Sequence, residues 1–396
     1  MTPSRRSALR LAGAALLTLL AAGPARGEDP AVAPADARPT LALPTPHEKL
    51  ATHGATGTAI YTNNDGLRVI SPWLEASQQV STTASIQATM RTDFITAASV
   101  DMISGASPRF EEVRKEAGFQ ASYDKSGVRG HAGYTYSTEN DTHSHTLVAG
   151  GQTDLFSRNL TLALGYGLGL DRLGSVREPE PLWHDRTSHR LDFTATQILT
   201  PTSVVSAAYT FQQIDGFQSS PYRLVPLVPK DSAMWLRSQA QWVAERHPDS
   251  RGRHGLTLEG RQAVGRSVFL RAAWRGYVDT WAIRSNTGEV GATWDLGHGF
   301  EVELSDRLYW QSRASFYRPM YSVDREFITR DRRLAGQLSN SVDLDLRVKL
   351  RLFEVLLQGL FVWTRYDDFR TVEVDRFVPM ADTLAAVIQA AVSVDL

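Results

Sequence analysis

Residues 160–171 read Leu-Thr-Leu-Ala-Leu-Gly-Tyr-Gly-Leu-Gly-Leu-Asp, and no other stretch constrains the fold of this chain as tightly. Leu160, Leu162, Leu164, Tyr166, Leu168 and Leu170 share one parity, while Thr161, Ala163, Gly165, Gly167, Gly169 and Asp171 share the other. Side chains on a strand alternate between its faces, so one face here is bulky and apolar and the other small or polar. The same alternation returns near the end of the chain. Val342, Leu344, Leu346, Val348 and Leu350 interleave with Ser341, Asp343, Asp345, Arg347 and Lys349, and every even position from Leu384 to Leu396 is apolar. A soluble sandwich would bury such faces in a shared core, whereas a barrel turns them to lipid and its polar faces to a wet lumen. Pattern alone does not separate the two. Strand length and strand number favour an all-β fold, a transmembrane antiparallel β-barrel.

The N-terminus carries an export address. Arg5, Arg6 and Arg10 precede the apolar run Leu11–Ala22, and Ala25-Arg26-Gly27 places small residues around a cleavage site. Residues 1–27 are therefore expected to be a secretory signal, followed by a Pro- and Ala-rich periplasmic lead-in over 28–54 and a barrel over 55–396. Cleavage removes four arginines and no acid, which leaves a mildly acidic mature chain; that argues against a nucleic-acid partner. With no cysteine among 396 residues, disulfides, a lipoprotein anchor and thiolate metal sites are excluded. Beyond Ala22 no apolar run is long enough for a helical span. Export without such a span makes the outer membrane the expected address, with outer-membrane lipid and the export and barrel-assembly machineries as expected partners.

Counting strand-sized segments from residue 55 gives sixteen, an even number as bacterial barrels require. With the N-terminus in the periplasm, the long connections (95–110, 172–187, 215–252, 312–336 and 367–383 among them) face outside. The tight ones, such as Asp124-Lys125-Ser126-Gly127 and Thr200-Pro201-Thr202, face the periplasm. That parity holds only if 233–246 is assigned to an outer loop, as a short helix, instead of being counted as a strand.

Several segments resemble a bacterial family of exported proteins of about this length, known mainly as a domain of unknown function. These are Val100-Asp101-Met102-Ile103-Ser104-Gly105-Ala106-Ser107-Pro108, Thr196–Thr200, Asp215-Gly216-Phe217, Pro221-Tyr222-Arg223, Trp274–Trp281 and Arg307–Gln311 with Phe316 and Tyr317. Trp274 stands where the family's run begins with Tyr. The resemblance implies an outer-membrane barrel without an established activity. It also hints at flavin-transferring and thioredoxin-like periplasmic partners, which no residue here displays.

Parity assigns candidate lumen-lining residues. Along 267–279, Arg271, Arg275, Tyr277 and Asp279 are expected to face inward; along 299–311, Glu301, Glu303, Arg307, Tyr309 and Gln311; along 341–350, Asp343, Asp345, Arg347 and Lys349. Such a lining can bind a polar or anionic solute, or form cross-strand salt bridges that pack the interior. Asp306 falls on the outward parity, so a bulge or an interface position is needed there. Asp101, Ser104 and Ser107 form a turn that offers oxygens to a hard cation, although such turns are ordinary. His143 and His145 share one side of a strand end, where two imidazoles can meet a metal or do nothing. Trp73, Trp274, Trp294, Trp310 and Trp363 are expected to include girdle residues at the lipid interfaces. No nucleophile motif, metalloprotease motif or phosphate loop occurs, and neither cofactor nor metal is implied. The expected role is a monomeric porin-like pore for a small polar solute, with Trp235 and Trp242 in a 215–252 insertion that narrows or caps the outer mouth. A closed scaffold for periplasmic or surface partners and a barrel-embedded enzyme are the alternatives.

Overall fold

The computed structural model describes residues 52–97, 110–229, 236–373 and 375–395. The expected signal, Asp101, Ser104, Ser107 and Trp235 lie outside these residues. Sixteen long strands close into one antiparallel barrel. In chain order the first eight are β1 (Thr52–Asn63), β2 (Arg68–Gln79), β3 (Ala84–Ala97), β4 (Phe110–Lys125), β5 (Val128–Glu139), β6 (Thr142–Leu155), β7 (Leu160–Leu173) and β8 (His184–Thr200). After β9 (Ser203–Gly216), a hairpin of β10 (Leu224–Leu227) and β11 (Gln241–Ala244) interrupts the wall. The wall resumes with β12 (Ser250–Val264), β13 (Val268–Asp279), β14 (Arg284–Gly297), β15 (Phe300–Gln311), β16 (Gln337–Leu350) and β17 (Phe353–Tyr366). A second loop hairpin, β18 (Arg370–Glu373) with β19 (Arg376–Pro379), precedes β20 (Thr383–Asp395). β20 pairs with β1 from His53↔Asp395 to Asn63↔Ala385 and removes both sheet edges.

The expected count of sixteen and the long-outside, short-inside parity match this topology. β1 begins at Thr52, inside the stretch expected as lead-in. Residues 233–246 stay out of the wall, and their described part holds a 3₁₀ turn (Arg237–Gln239) and β11. The periplasmic turns are tight for a chemical reason. Ser126 and Gly127 both have positive φ, 55° and 83°, which the two-residue hairpin turn with the right twist demands.

Alternation places every strand. Leu164, Tyr166 and Leu170 are exposed on the outside, whereas Gly165, Gly169 and Asp171 are buried on the inside. Trp274, Trp294, Trp310 and Trp363 share the outward parity of their strands, as expected of girdle residues. Trp73 does not. It shares parity with buried Ser71 and Glu75, and its ring fills the space over Gly57 inside the barrel. A tryptophan on a strand reads the same from either face, and only the neighbours' parity sorts it.

The interior is not uniform. Leu360, Val362, Ala385 and Val387 pack with Ala59 and Tyr61 into an apolar patch behind the β17–β20–β1 seam. Elsewhere the inner wall mixes polar and charged side chains with apolar ones such as Val204, Ala208 and Leu356.

Candidate functional site

Two structures meet at the outer half of the barrel: a charged inner wall and a folded cap. All of Arg271, Arg275, Tyr277, Asp279, Glu301, Glu303, Arg307, Tyr309, Gln311, Asp343, Asp345, Arg347 and Lys349 carry the inward parity of β13, β15 and β16. They do not share one environment.

Asp279 is sequestered. Its Oδ2 accepts from Arg251 at 2.5 and 3.0 Å and from the Tyr277 hydroxyl at 2.8 Å, and its Oδ1 accepts the Ile283 N–H at 2.9 Å. The Arg251 guanidinium in turn lies 4.1 Å from the Trp281 ring centre. Tyr309 and Gln311 are buried too. The Tyr309 hydroxyl donates to Gln311 at 2.5 Å, and Gln311 Nε2 donates to the Arg333 and Ala335 carbonyls at 2.8 and 2.9 Å, anchoring the 312–336 loop. These three residues hold structure and do not line open lumen.

Lower on the wall, Arg271 bonds Glu289 and lies 3.8 Å from Glu259, which pairs with Arg261 at 2.5 Å. Near the periplasmic end, Arg347 bridges Glu301 (2.6 Å) and Glu354 (3.1 Å), and Lys349 joins Glu354 at 3.2 Å. Between these ladders, Arg275, Arg307 and Glu303 have no hydrogen-bond or ion-pair partner among the described residues. Glu303 sits directly across from Asp345, and Asp343, two residues along β16, accepts from Gln358 at 2.9 Å. The wall therefore presents two guanidiniums toward its outer half and three carboxylates toward its periplasmic half.

The cap is built from the described residues of the 217–249, 312–336 and 367–382 loops. Val225, Leu227, Tyr321 and Ile328 form one apolar cluster; Val228, Met320 and Phe377, with Trp242 against them, form a second. Trp242, expected in the loop that narrows or caps the mouth, is partly buried against this second cluster. It tilts on Phe377 and carries Arg237 over its ring.

Beneath the clusters lies a buried ion network. Glu245 accepts from Arg223 (3.1 Å), Thr329 (2.6 Å) and the Ser220 N–H (3.0 Å), and Arg223 also reaches Asp331 at 2.9 Å. Burial alone would raise the Glu245 carboxyl, but Arg223 and His247 outweigh it and hold it down at about 2. Burial likewise opposes ionisation of Asp331, and Arg223 and Arg333 overcome it, keeping that carboxyl well below its usual range.

The cap spans the mouth. On one side the Tyr222 hydroxyl takes the Val176 N–H at 2.9 Å, and burial followed by Asp141 pushes this phenol up to about 12. On the other side Arg332 pairs with Asp65 of the β1–β2 turn at 2.6 Å.

His143 and His145 are both held through their Nδ1 atoms by hydroxyls of β5. Tyr136 and Thr138 hydroxyls contact His143 Nδ1, and the Tyr134 hydroxyl contacts His145 Nδ1 at 2.7 Å. Two identical outward pairs follow, Tyr166 with His189 and Tyr209 with His254, each at 2.7 Å. The His-x-Leu spacing at 145–147, 189–191 and 254–256 carried that signal in sequence. Sequence reading also missed Glu112, Glu139 and Asp141, whose carboxylate oxygens lie within 4.8 Å of one another beside Arg114.

A closed sixteen-strand barrel with an apolar outer face and a charged inner wall defines the class: this is an outer-membrane β-barrel, set in lipid. The family model described as "Protein of unknown function (DUF3570)" matches residues 176–357, from the β7–β8 connection into β17. The blocks at 196–223, 274–281 and 307–317 fall within that match, whereas 100–108 falls outside it. No curated protein matches the sequence. Among solved structures, the chain resembles a bacterial polysaccharide outer membrane secretin at 11% identity and a TM-score of 0.49, covering 86% of this chain and 97% of that one. It also resembles the CymD monoaromatic hydrocarbon channel (8%, TM-score 0.43, 89% and 90% covered). A third is an OccD1 (OprD) variant (7%, TM-score 0.44, 88% and 96% covered).

Proposed function

We propose that this barrel is a diffusion pore for a small polar solute, with the cap as its outer filter. The supporting observation is the set of inner-wall charges that form no ion pair among the described residues: Arg275 and Arg307 above Glu303, Asp343 and Asp345. A wall that only packed the interior would neutralise each charge, because an unpaired charge away from bulk water is costly. Charges left open toward a lumen instead select passing solutes by sign. Planar-bilayer recording tests the reading. The wild type should conduct, and the Arg275→Ala/Arg307→Ala double variant should become several-fold more cation-selective. A protein that is silent with and without residues 217–249 would overturn it.

The cap favours a second reading, a closed barrel that serves as a scaffold for surface or periplasmic partners, redox partners included. Its cores and buried ion network are those of a folded unit. Silence in the bilayer together with a co-purifying protein is the outcome this reading expects.

A further inference from the structure

We infer that the lipid-facing surface of β12–β16 is an interface with a second copy of this chain, in contrast to the monomer expected from sequence. Asp306 faces outward on β15. Its outward parity calls for a bulge or a position at a membrane interface, and the structure shows no bulge there. β15 pairs with β16 without a break from Phe300↔Val348 to Gln311↔Gln337, and the register with β14 runs cleanly through Val290↔Asp306. Asp306 is exposed in mid-strand between the outward Leu304 and Leu308. Its carboxylate contacts one side-chain donor, Asn340 Nδ2, at 3.1 and 3.3 Å. A carboxylate facing hydrocarbon near the middle of a span is destabilising.

Beside it the outer wall is hollow. A depression of about 810 Å³ is lined by Ala207, Gly260, Ala272, Gly288, Trp274 and Leu308, with Asp306 among them. A Cβ added at Gly260 or Gly288 would meet nothing within 4 Å. Lipid tails can fill such a hollow, but they bring no proton donor to the carboxylate. A protein surface brings both volume and donors.

The same face carries a matching donor. The Trp274 indole N–H has no hydrogen-bond partner among the described residues, and its exposed ring lies over Gly276 at the border of the hollow. Trp274 is central on β13, and Asp306 is central on β15. A two-fold axis along the membrane normal preserves depth, so it sets Trp274 of each copy against Asp306 of the other and seats ridge in hollow. That self-complementarity is what an isologous interface requires.

The chain has no cysteine, so single-cysteine crosslinking reads the contact directly. Gly288→Cys in the full mature chain, oxidised in membranes, should give a disulfide-linked dimer in at least about ten-fold higher yield than Ala117→Cys, on the opposite arc of the barrel. Asp306→Leu added to Gly288→Cys should remove most of that product, and Asp306→Asn less. Heat-modifiable gel mobility confirms that each variant is a folded barrel. Equal yields at residues 288 and 117 would overturn the inference, as would a Gly288→Cys adduct with a different protein. A crosslink that Asp306→Leu leaves unchanged would also overturn it. None of these outcomes bears on conductance, so the pore reading stands or falls separately.

Discussion

Two arcs of the inner wall treat charge differently. On β3–β8 every inward arginine has an acid: Arg91 with Asp93 (2.8 Å), Arg114 with Glu116 (2.7 Å), Arg129 with Asp154 (2.9 Å), Arg186 with Asp171 (2.7 Å) and Arg190 with Asp192 (2.7 Å). On β12–β16, Arg251, Arg261, Arg271 and Arg347 are paired in the same way, but Arg275 and Arg307 are not. Both arcs are drawn from the same residue types at the same alternation. Composition therefore says little about role. Whether an acid is free within reach, two residues along the strand or on a neighbouring one, decides the difference: Glu289 lies across from Arg307 but bonds Arg271.

The contrast is broken most forcefully at a paired site. Asp171→Ala leaves Arg186 buried without its acid and takes away the acceptor of the Ser144 hydroxyl. Removing one partner of such a pair should cost about 3–5 kcal/mol, read as a lower unfolding midpoint, with ion selectivity unchanged. Glu245→Gln should act on the cap with a somewhat smaller effect, because the amide keeps one acceptor for Thr329 while Arg223 retains Asp331. The expected signs are faster proteolysis within 217–249 and a larger conductance.

The unpaired site should behave in the opposite way. Arg275→Ala/Arg307→Ala should shift midpoints by less than about 1 kcal/mol while changing the reversal potential. A large loss of stability there would mean that these guanidiniums are structural after all. The smallest effect is acidic loosening of the cap. Glu245 is held at about 2, below the usual 4.5 of a free glutamate, so its contribution is fully present above the unfolded value. That contribution fades as pH falls from about 4.5 toward 2, and protease access to the cap should rise over the same window.

Much of the fold was legible because strand parity is local. Leu160–Asp171 states its two faces without reference to any other segment, and sixteen such statements with alternating connection lengths define the barrel. Asp306 was legible as an anomaly for the same reason. The cap was not, because its contacts join residues far apart in the chain: Arg223 meets Asp331, and Glu245 meets Thr329. Trp242 could be assigned to the loop but not to its contact with Phe377, which lies far along the chain. The candidate lumen residues were placed on the correct face, but their roles were not readable. Asp279 and Arg275 share a strand and a face. One is locked by Arg251 from β12, and the other is left open because Thr257 and Thr287, not acids, lie across from it.

Ion selectivity measured across a planar bilayer, with the 217–249 segment intact and deleted, bears most directly on the account. Conductance should grow when the segment is removed and turn toward cations when Arg275 and Arg307 are replaced by alanine. A bilayer that stays silent in every case, or a selectivity indifferent to both arginines, would contradict it.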